Sequence, residues 1–369
     1  MSMSEESAGR CATLIRKMKK AGLSACLITK PENIHYICGF CGEDSWLVLG
    51  RKCRVLITDS RFTEEAGRSA PDFDVHLRRG GIAAETAEIL KKVGGRIGFE
   101  ANHLTVSAHE VLTPKRSKRY QLVAQTGLIE EMRLIKDAGE IAAIRRAISA
   151  AEDGLKIALS RTKKGASEAE FAATLDYWMR EQGATGAAFP TIVAGEPLSS
   201  LPHATPTDAR LYVSSTLLVD WGARVGYYNS DLTRVVAWGK VTPRIARIWG
   251  VVKAAQREAL RTIRAGVSAV RVDAAARRVI SQAGFGEFFG HGLGHGVGLE
   301  IHEGPTLSPR SKVRLKAGMV VTVEPGIYLP GIGGVRLEDM VLVTARGAEI
   351  LTTVSRDPHV LGALSRLGK

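Results

Sequence analysis

Residues 215–238 read STLLVDWGARVGYYNSDLTRVVAW, two β-rich runs on either side of Arg224-Val225-Gly226. That pattern predicts an antiparallel hairpin. With the turn centred between Val225 and Gly226, Asp220 and Asp231 are equally far from the centre, so they are expected to lie directly opposite each other on one face. Like charges so placed destabilise a sheet, and apolar surroundings raise the cost further. A positive group is expected between them, unless one Asp is merely a turn or edge residue.

A second segment repeats the theme. In MVVTVEPGIYLPGIGGVRLEDMVLVT, residues 319–344, the turn cluster 330–334 separates β-rich arms carrying Glu324 and Glu338. Arg336 lies two residues from Glu338 and therefore on the same strand face. Solvent-facing glutamates are the ordinary alternative. A third segment is FFGHGLGHGVGLEIHEGP, residues 288–305, where every even position from Gly290 to Gly298 is glycine and His291 and His295 stand at odd positions. Glycine weakens a strand unless another backbone or a ligand must come close, so the segment predicts an extended strand at a crowded functional centre rather than a satisfied core histidine. His302 follows seven residues after His295.

Four carboxylates and at least one imidazole make an oxygen-dominated donor set, which suits Mn²⁺ or a similar divalent ion better than a structural zinc site. Carboxylates that bridge can hold two ions about 3.5–4 Å apart, as in two-metal hydrolases.

The rest of the chain frames this centre. At 369 residues two domains are expected. Alternating signals up to about residue 125 predict an α/β domain: a helix from 11 into a strand at 25–28, strands at 45–49 and 55–58, a helix at 84–92 and a strand at 97–100. A long helical run from Leu128 and a helix at 244–265 surround Val-, Thr- and Gly-rich strands, so the second half reads as α+β with an antiparallel sheet.

The opening MSMSEESAGR has no apolar leader core, and no run approaches a membrane span; a cytoplasmic protein is expected. All five cysteines fall within the first 53 residues, and the Cys38/Cys41 pair reads as structural thiols. The net charge of +13 is spread over short runs, 16–20 and 115–119, without interleaved aromatics. Solvated helix faces explain these runs, and a nucleic-acid partner is not expected.

The motifs VDWGA (Asp220), NSDLTR (Asp231), HGLGHGVGLEIHE (His295), VEPGIY (Glu324) and GGVRLED (Glu338) together resemble the pita-bread metallopeptidases, in particular the X-Pro aminopeptidase and prolidase branch. PENIHYICGF (31–40) and TDSRFTEEA (58–66) resemble that branch's creatinase-type N-terminal domain. Cys41 and Trp221 depart mildly from the usual pattern.

The resemblance implies a creatinase-like α/β domain over 1–127 and a catalytic pita-bread domain with a curved antiparallel sheet over 128–369. It implies that Asp220 binds one ion, Asp231 and Glu338 bridge, and His295 and Glu324 complete the second ion's shell around a bridging hydroxide, with Glu324 also a general base. Mn²⁺ is the expected ion, with Co²⁺ and Zn²⁺ as alternatives. His203 and His302 are implied as donors to the scissile carbonyl, His291 as a pocket residue, and Arg336 as the group orienting Glu338.

The implied substrates are small peptides with proline second, and the implied assembly is a homodimer. An aminopeptidase is favoured over a dipeptide-restricted prolidase: Arg310 lies in a loop where some prolidases hold the proline carboxylate, but position 306 is Thr where certain prolidases have Arg. Creatinase works without metal, and silent pita-bread binding proteins lose ligands; the intact set of five argues against both.

Overall fold

Short apolar runs alternating with amphipathic helices form a six-stranded mixed sheet in the first of two units, Met1–Arg133, in the strand order 74–77, 54–58, 46–50, 25–28, 95–100, 120–125. The computed structural model describes residues 3–113, 119–163, 165–211, 215–237 and 240–363. Strand Ala25–Ile28 runs antiparallel to Trp46–Gly50 and parallel to Gly95–Glu100. Leu27, Val48, Ile57, Leu90 and Ile97 fill the core against it.

The first helix begins at Met3, earlier than its apolar periodicity suggests, and carries the basic run 16–20, from which Lys17 pairs with Glu131. Of the second run, residues 115–118 lie outside the described residues. Helix Pro31–Cys38 starts on a proline and stops at Gly39 with φ 79°, the left-handed turn that closes many helices. Among the described residues no disulfide joins the five cysteines. Cys38 donates to the Ile34 carbonyl, and Cys41 Sγ lies 3.0 Å from His35 Nδ1.

The second unit, Leu134–Lys369, holds the helices 138–161, 168–181, 243–262 and 269–282. The helical run expected from Leu128 is interrupted: a short turn at 130–133 ends, and Asp137 with Glu140 forms a capping box that starts Ala138–Arg161 afresh. Every strand pair in this unit is antiparallel. A three-stranded sheet (192–195, 216–221, 232–237) meets a five-stranded one (303–307, 294–296, 320–323, 339–343, 348–350) through a bridge between Thr233 and Glu338. Among the described residues no helix is long and apolar enough to cross a membrane.

The hairpin forms, but its register corrects the expectation. Val225 pairs with Tyr228, so the turn sits at Gly226-Tyr227, led by Gly226 at φ 61°. Asp220 therefore faces Thr233 rather than Asp231, and Asp231 falls two residues short of the position opposite it. A shift of two preserves the face, and each carboxylate gains a small or polar neighbour in place of a like charge.

Candidate metal centre

Asp220 ends the buried strand Thr216–Trp221, and Asp231 precedes the buried strand Leu232–Ala237. The neighbouring sheet supplies the rest: Glu324 follows strand Val320–Val323, while Glu338 lies between strands Gly333–Arg336 and Asp339–Val343. The five expected ligands converge.

Ligand atoms of Asp220, Asp231 and Glu338 all lie within 4.8 Å of one another, as do those of His295, Glu324 and Glu338 and those of Asp231, His295 and His302. Asp231, Glu338 and His295 each belong to two of these groups. His295 Nε2 is 3.3 Å from Glu324 Oε1 and 3.5 Å from Asp231 Oδ2, and its Nδ1 is held 3.1 Å from the Gly296 carbonyl.

The histidine segment is less regular than an extended strand. Only Gly294–Gly296 pairs as strand, because flanking backbones press on it from both sides. A Cβ on Gly294 would lie 2.2 Å from the Thr322 carbonyl oxygen, and one on Gly296 1.9 Å from that of Gly304. Gly294 and Gly296 thus admit neighbouring backbone, and the crowding they signalled is that of the scaffold behind the imidazoles. From outside, Asp273 accepts from the Leu293 amide, and Arg277 donates to the carbonyls of Phe289 and His291.

Burial governs the electrostatics. It pushes the carboxyls of Asp231 and Glu338 well above the ordinary range, with charge from Glu338 on the former and Glu324 on the latter adding to it. Asp220 is likewise raised by burial, against the pull of Arg336. Glu324 behaves differently: burial pushes up, but the hydrogen bond and charge of His295 outweigh it and leave this carboxyl lowered.

One oxygen of the cluster, Asp220 Oδ1, is buried with no hydrogen-bond partner among the described residues. Buried acceptors are normally satisfied. Crowded carboxylates, one orphaned oxygen and an imidazole are the donor set that divalent cations fit.

Arg336 grips Asp220 with one guanidinium nitrogen. It reaches Glu338 only through Thr233, whose hydroxyl accepts from Arg336 Nε at 3.0 Å and donates to Glu338 at 2.8 Å. Its remaining nitrogen donates to the Tyr328 hydroxyl at 2.8 Å, which lies 3.0 Å from His291 Nε2. Sequence reading passed over Thr233 and Tyr328. The signal was available in the period of two, since Thr233 is two residues from Asp231 and Tyr328 four from Glu324.

The centre opens into a cleft of about 1110 Å³ lined also by His203, His291, His302, Phe189, Ile192, Phe288 and Thr306. The His302 ring lies 4.4 Å, centroid to centroid, from that of His295. Arg310 does not line this cleft among the described residues. Trp221 is fully buried and donates to the Ala151 carbonyl, a packing role.

Residues 142–345 match metallopeptidase family M24, and residues 10–135 match the creatinase/prolidase N-terminal domain. The chain is 35% identical over 348 residues to an Xaa-Pro dipeptidase of Pyrococcus horikoshii, covering 93% of this chain and 97% of that protein. Among solved structures it is similar to an Xaa-Pro dipeptidase from Bacillus anthracis, with a TM-score of 0.91, 35% identity and coverage of 96% and 99% of the two chains. It also resembles an X-Pro aminopeptidase from Thermotoga maritima, with a TM-score of 0.85, 36% identity and coverage of 93% and 99%. A cluster of buried carboxylates around one imidazole, with both halves of the chain matched end to end, places this protein in metallopeptidase family M24, behind a creatinase/prolidase N-terminal domain.

Proposed function

We propose that the protein is an X-Pro aminopeptidase with a dinuclear metal centre, Asp231 and Glu338 being shared between two ions, Asp220 on one side and His295 with Glu324 on the other. The observation that carries this reading is the overlap of the donor groups: Glu338 joins the Asp220 side to His295 and Glu324, and Asp231 joins it to His295, and carboxylates shared in this way are what a bridged pair of ions needs. When bound, such ions acidify a water and polarise a carbonyl. The oxygen-rich set favours Mn²⁺, with Co²⁺ and Zn²⁺ as alternatives.

The chain's own residues then divide the work. Glu324 takes the proton from the attacking water as general base; its lowered carboxyl keeps it ionised and able to accept. His203 and His302, both exposed in the cleft, donate to the scissile carbonyl oxygen as charge grows on it. His291 is held by Tyr328 at the wall, and Arg336 fixes Asp220 and, through Thr233, Glu338. Proline at the second position has no amide N–H to offer, and attack on the carbonyl needs none.

Aminopeptidase is favoured over dipeptidase by the cleft's cations. Among the described lining residues Arg336 is the one guanidinium or ammonium group, and Asp220 already holds it. A free prolyl carboxylate finds no uncommitted guanidinium or ammonium group among these described lining residues. The reading extends to a cytoplasmic homodimer, which rests on resemblance. With Mn²⁺ supplied, release of the first residue from Gly-Pro-X tripeptides should exceed cleavage of Gly-Pro. Cleavage of the dipeptide alone would establish the prolidase, and cleavage of neither a silent binding protein.

A further inference from the structure

His302 stands in the cleft on the segment 297–302, between strands Gly294–Gly296 and Glu303–Leu307. Among the described residues no hydrogen bond fixes its ring, so its backbone must place it. Two residues outside the candidate ligand set hold that backbone at its two ends.

At the leading end is Asn229, fully buried, whose backbone amide donates to the Gly298 carbonyl at 3.0 Å. Its side-chain amide donates to the same carbonyl at 3.1 Å and to that of Leu299 at 3.0 Å. Arg224 Nε donates to Asn229 Oδ1 at 3.0 Å, which fixes the amide with its nitrogen toward the segment.

At the trailing end Lys136 Nζ lies 2.6 Å from Glu303 Oε1, with side-chain exposures of 0% and 7%. The two tethers meet at Gly298, where a Cβ would come 2.6 Å from Glu303 Oε1 and 3.2 Å from Lys136 Cε. A buried ion pair is weak evidence of stabilisation, because desolvation offsets attraction, but its geometry fixes register. Glu303 follows His302 directly, so whatever holds its carboxylate also holds the backbone that carries the imidazole.

We infer that Lys136, through Glu303, and Asn229, through the Gly298 and Leu299 carbonyls, are positioning residues that hold His302 over His295 for the reaction. The inference rests on the reading of His302 as a donor to the scissile carbonyl.

The test compares Lys136→Met, Lys136→Arg and the charge-free pair Lys136→Met/Glu303→Leu in the full-length protein with Mn²⁺ and a Gly-Pro-X tripeptide. The pair guards against a stranded Glu303 preventing folding. Lys136→Met and the pair should each lower kcat by about 10- to 100-fold, the usual loss for residues that orient a reacting group. KM should stay within about twofold, since a transition-state contact is lost, and Lys136→Arg should recover part of kcat.

In a His302→Ala background, Lys136→Met should lower kcat by no more than about a further twofold, because residues acting as a unit are not additive. Independently of turnover, histidine-labelled NMR of the metal-free protein should show the His302 ring signal, identified by its loss in His302→Ala, displaced or broadened in Lys136→Met while that of His203 holds. A wild-type His302 signal in Lys136→Met and in the pair overturns the inference, as does full additivity with His302→Ala. If His302→Ala alone leaves kcat unchanged, the catalytic reading of His302 fails, and the NMR signal still decides whether Lys136 places the ring.

Discussion

Glu338 and Asp339 are adjacent, both buried, and treated in opposite ways. Asp339 is surrounded by donors: Arg234 at 2.7 Å, Gln256 at 2.8 Å, Thr352 at 2.6 Å and Arg356 at 2.7 Å. Burial raises its carboxyl, but the two guanidinium groups outweigh that and hold it below its ordinary value. Glu338 accepts from Thr233, and burial, followed by the charges of Glu324 and Asp220, drives its carboxyl far up. Successive strand residues face opposite sides. One side of the chain is thus a finished ionic lock, and the other is a crowded set of acceptors of the kind divalent cations fit.

The comparison breaks if the two residues respond alike to neutralisation. Glu338→Gln should lower peptidase activity by about 10²-fold or more, the scale on which a transition-state charge contact is lost, and reduce bound metal measured by elemental analysis. Its metal-free protein should melt no lower than the parent, because burial already disfavours the Glu338 charge there and an amide of the same shape replaces the carboxyl. Asp339→Asn should do the reverse: Arg234 and Arg356 lose their counter-charge, at about 3–5 kcal/mol, read as a fall in the urea midpoint. A folded Asp339→Asn protein should still bind metal. Equal destabilisation by both substitutions would erase the distinction.

Chelation sharpens the same contrast. Removing divalent ions should abolish activity, and Mn²⁺ or Co²⁺ should restore it. At a hundredfold excess over the dissociation constant, binding to the folded state adds about 2.7 kcal/mol of stability. That increment should appear in the parent and in Asp339→Asn, and be absent from Glu338→Gln. Undiminished turnover after metal removal, confirmed by elemental analysis, would defeat the metal-dependent reading.

The sequence displayed Glu338 and hid Asp339. The five candidate ligands were legible because they stand in β-rich arms around glycine and turn residues, where four carboxylates and an imidazole have no structural reason to gather. The lock was not legible, because its partners come from residues 234, 256, 352 and 356, and side-chain period says nothing of which distant strands meet. The same limit explains the hairpin register. Composition showed a turn near Gly226, but a two-residue difference leaves the apolar face unchanged, and only the ladder distinguishes Asp220 facing Asp231 from Asp220 facing Thr233. The Lys136–Glu303 pair, 167 residues apart, was out of reach for the same reason.

His35 in the first unit shows a third response to burial, the surrender of the charge itself. Burial pushes its imidazole down to about 4 despite the bond to the Gly39 carbonyl. The folded protein therefore holds this ring neutral, while the unfolded chain takes up a proton near pH 6.5. The unfolded state binds more protons between those values, so stability is intact above about pH 6.5, falls as pH drops through that window, and levels off below about 4. The full span is at most about 3 kcal/mol, less to the extent that water reaches the ring. Urea midpoints of metal-free protein, followed from pH 7 to 4.5, should fall in the parent and fall less in His35→Gln. The same slope in both would mean that the ring stays charged when folded, and that Cys41, 3.0 Å from its Nδ1, tolerates a cation beside it.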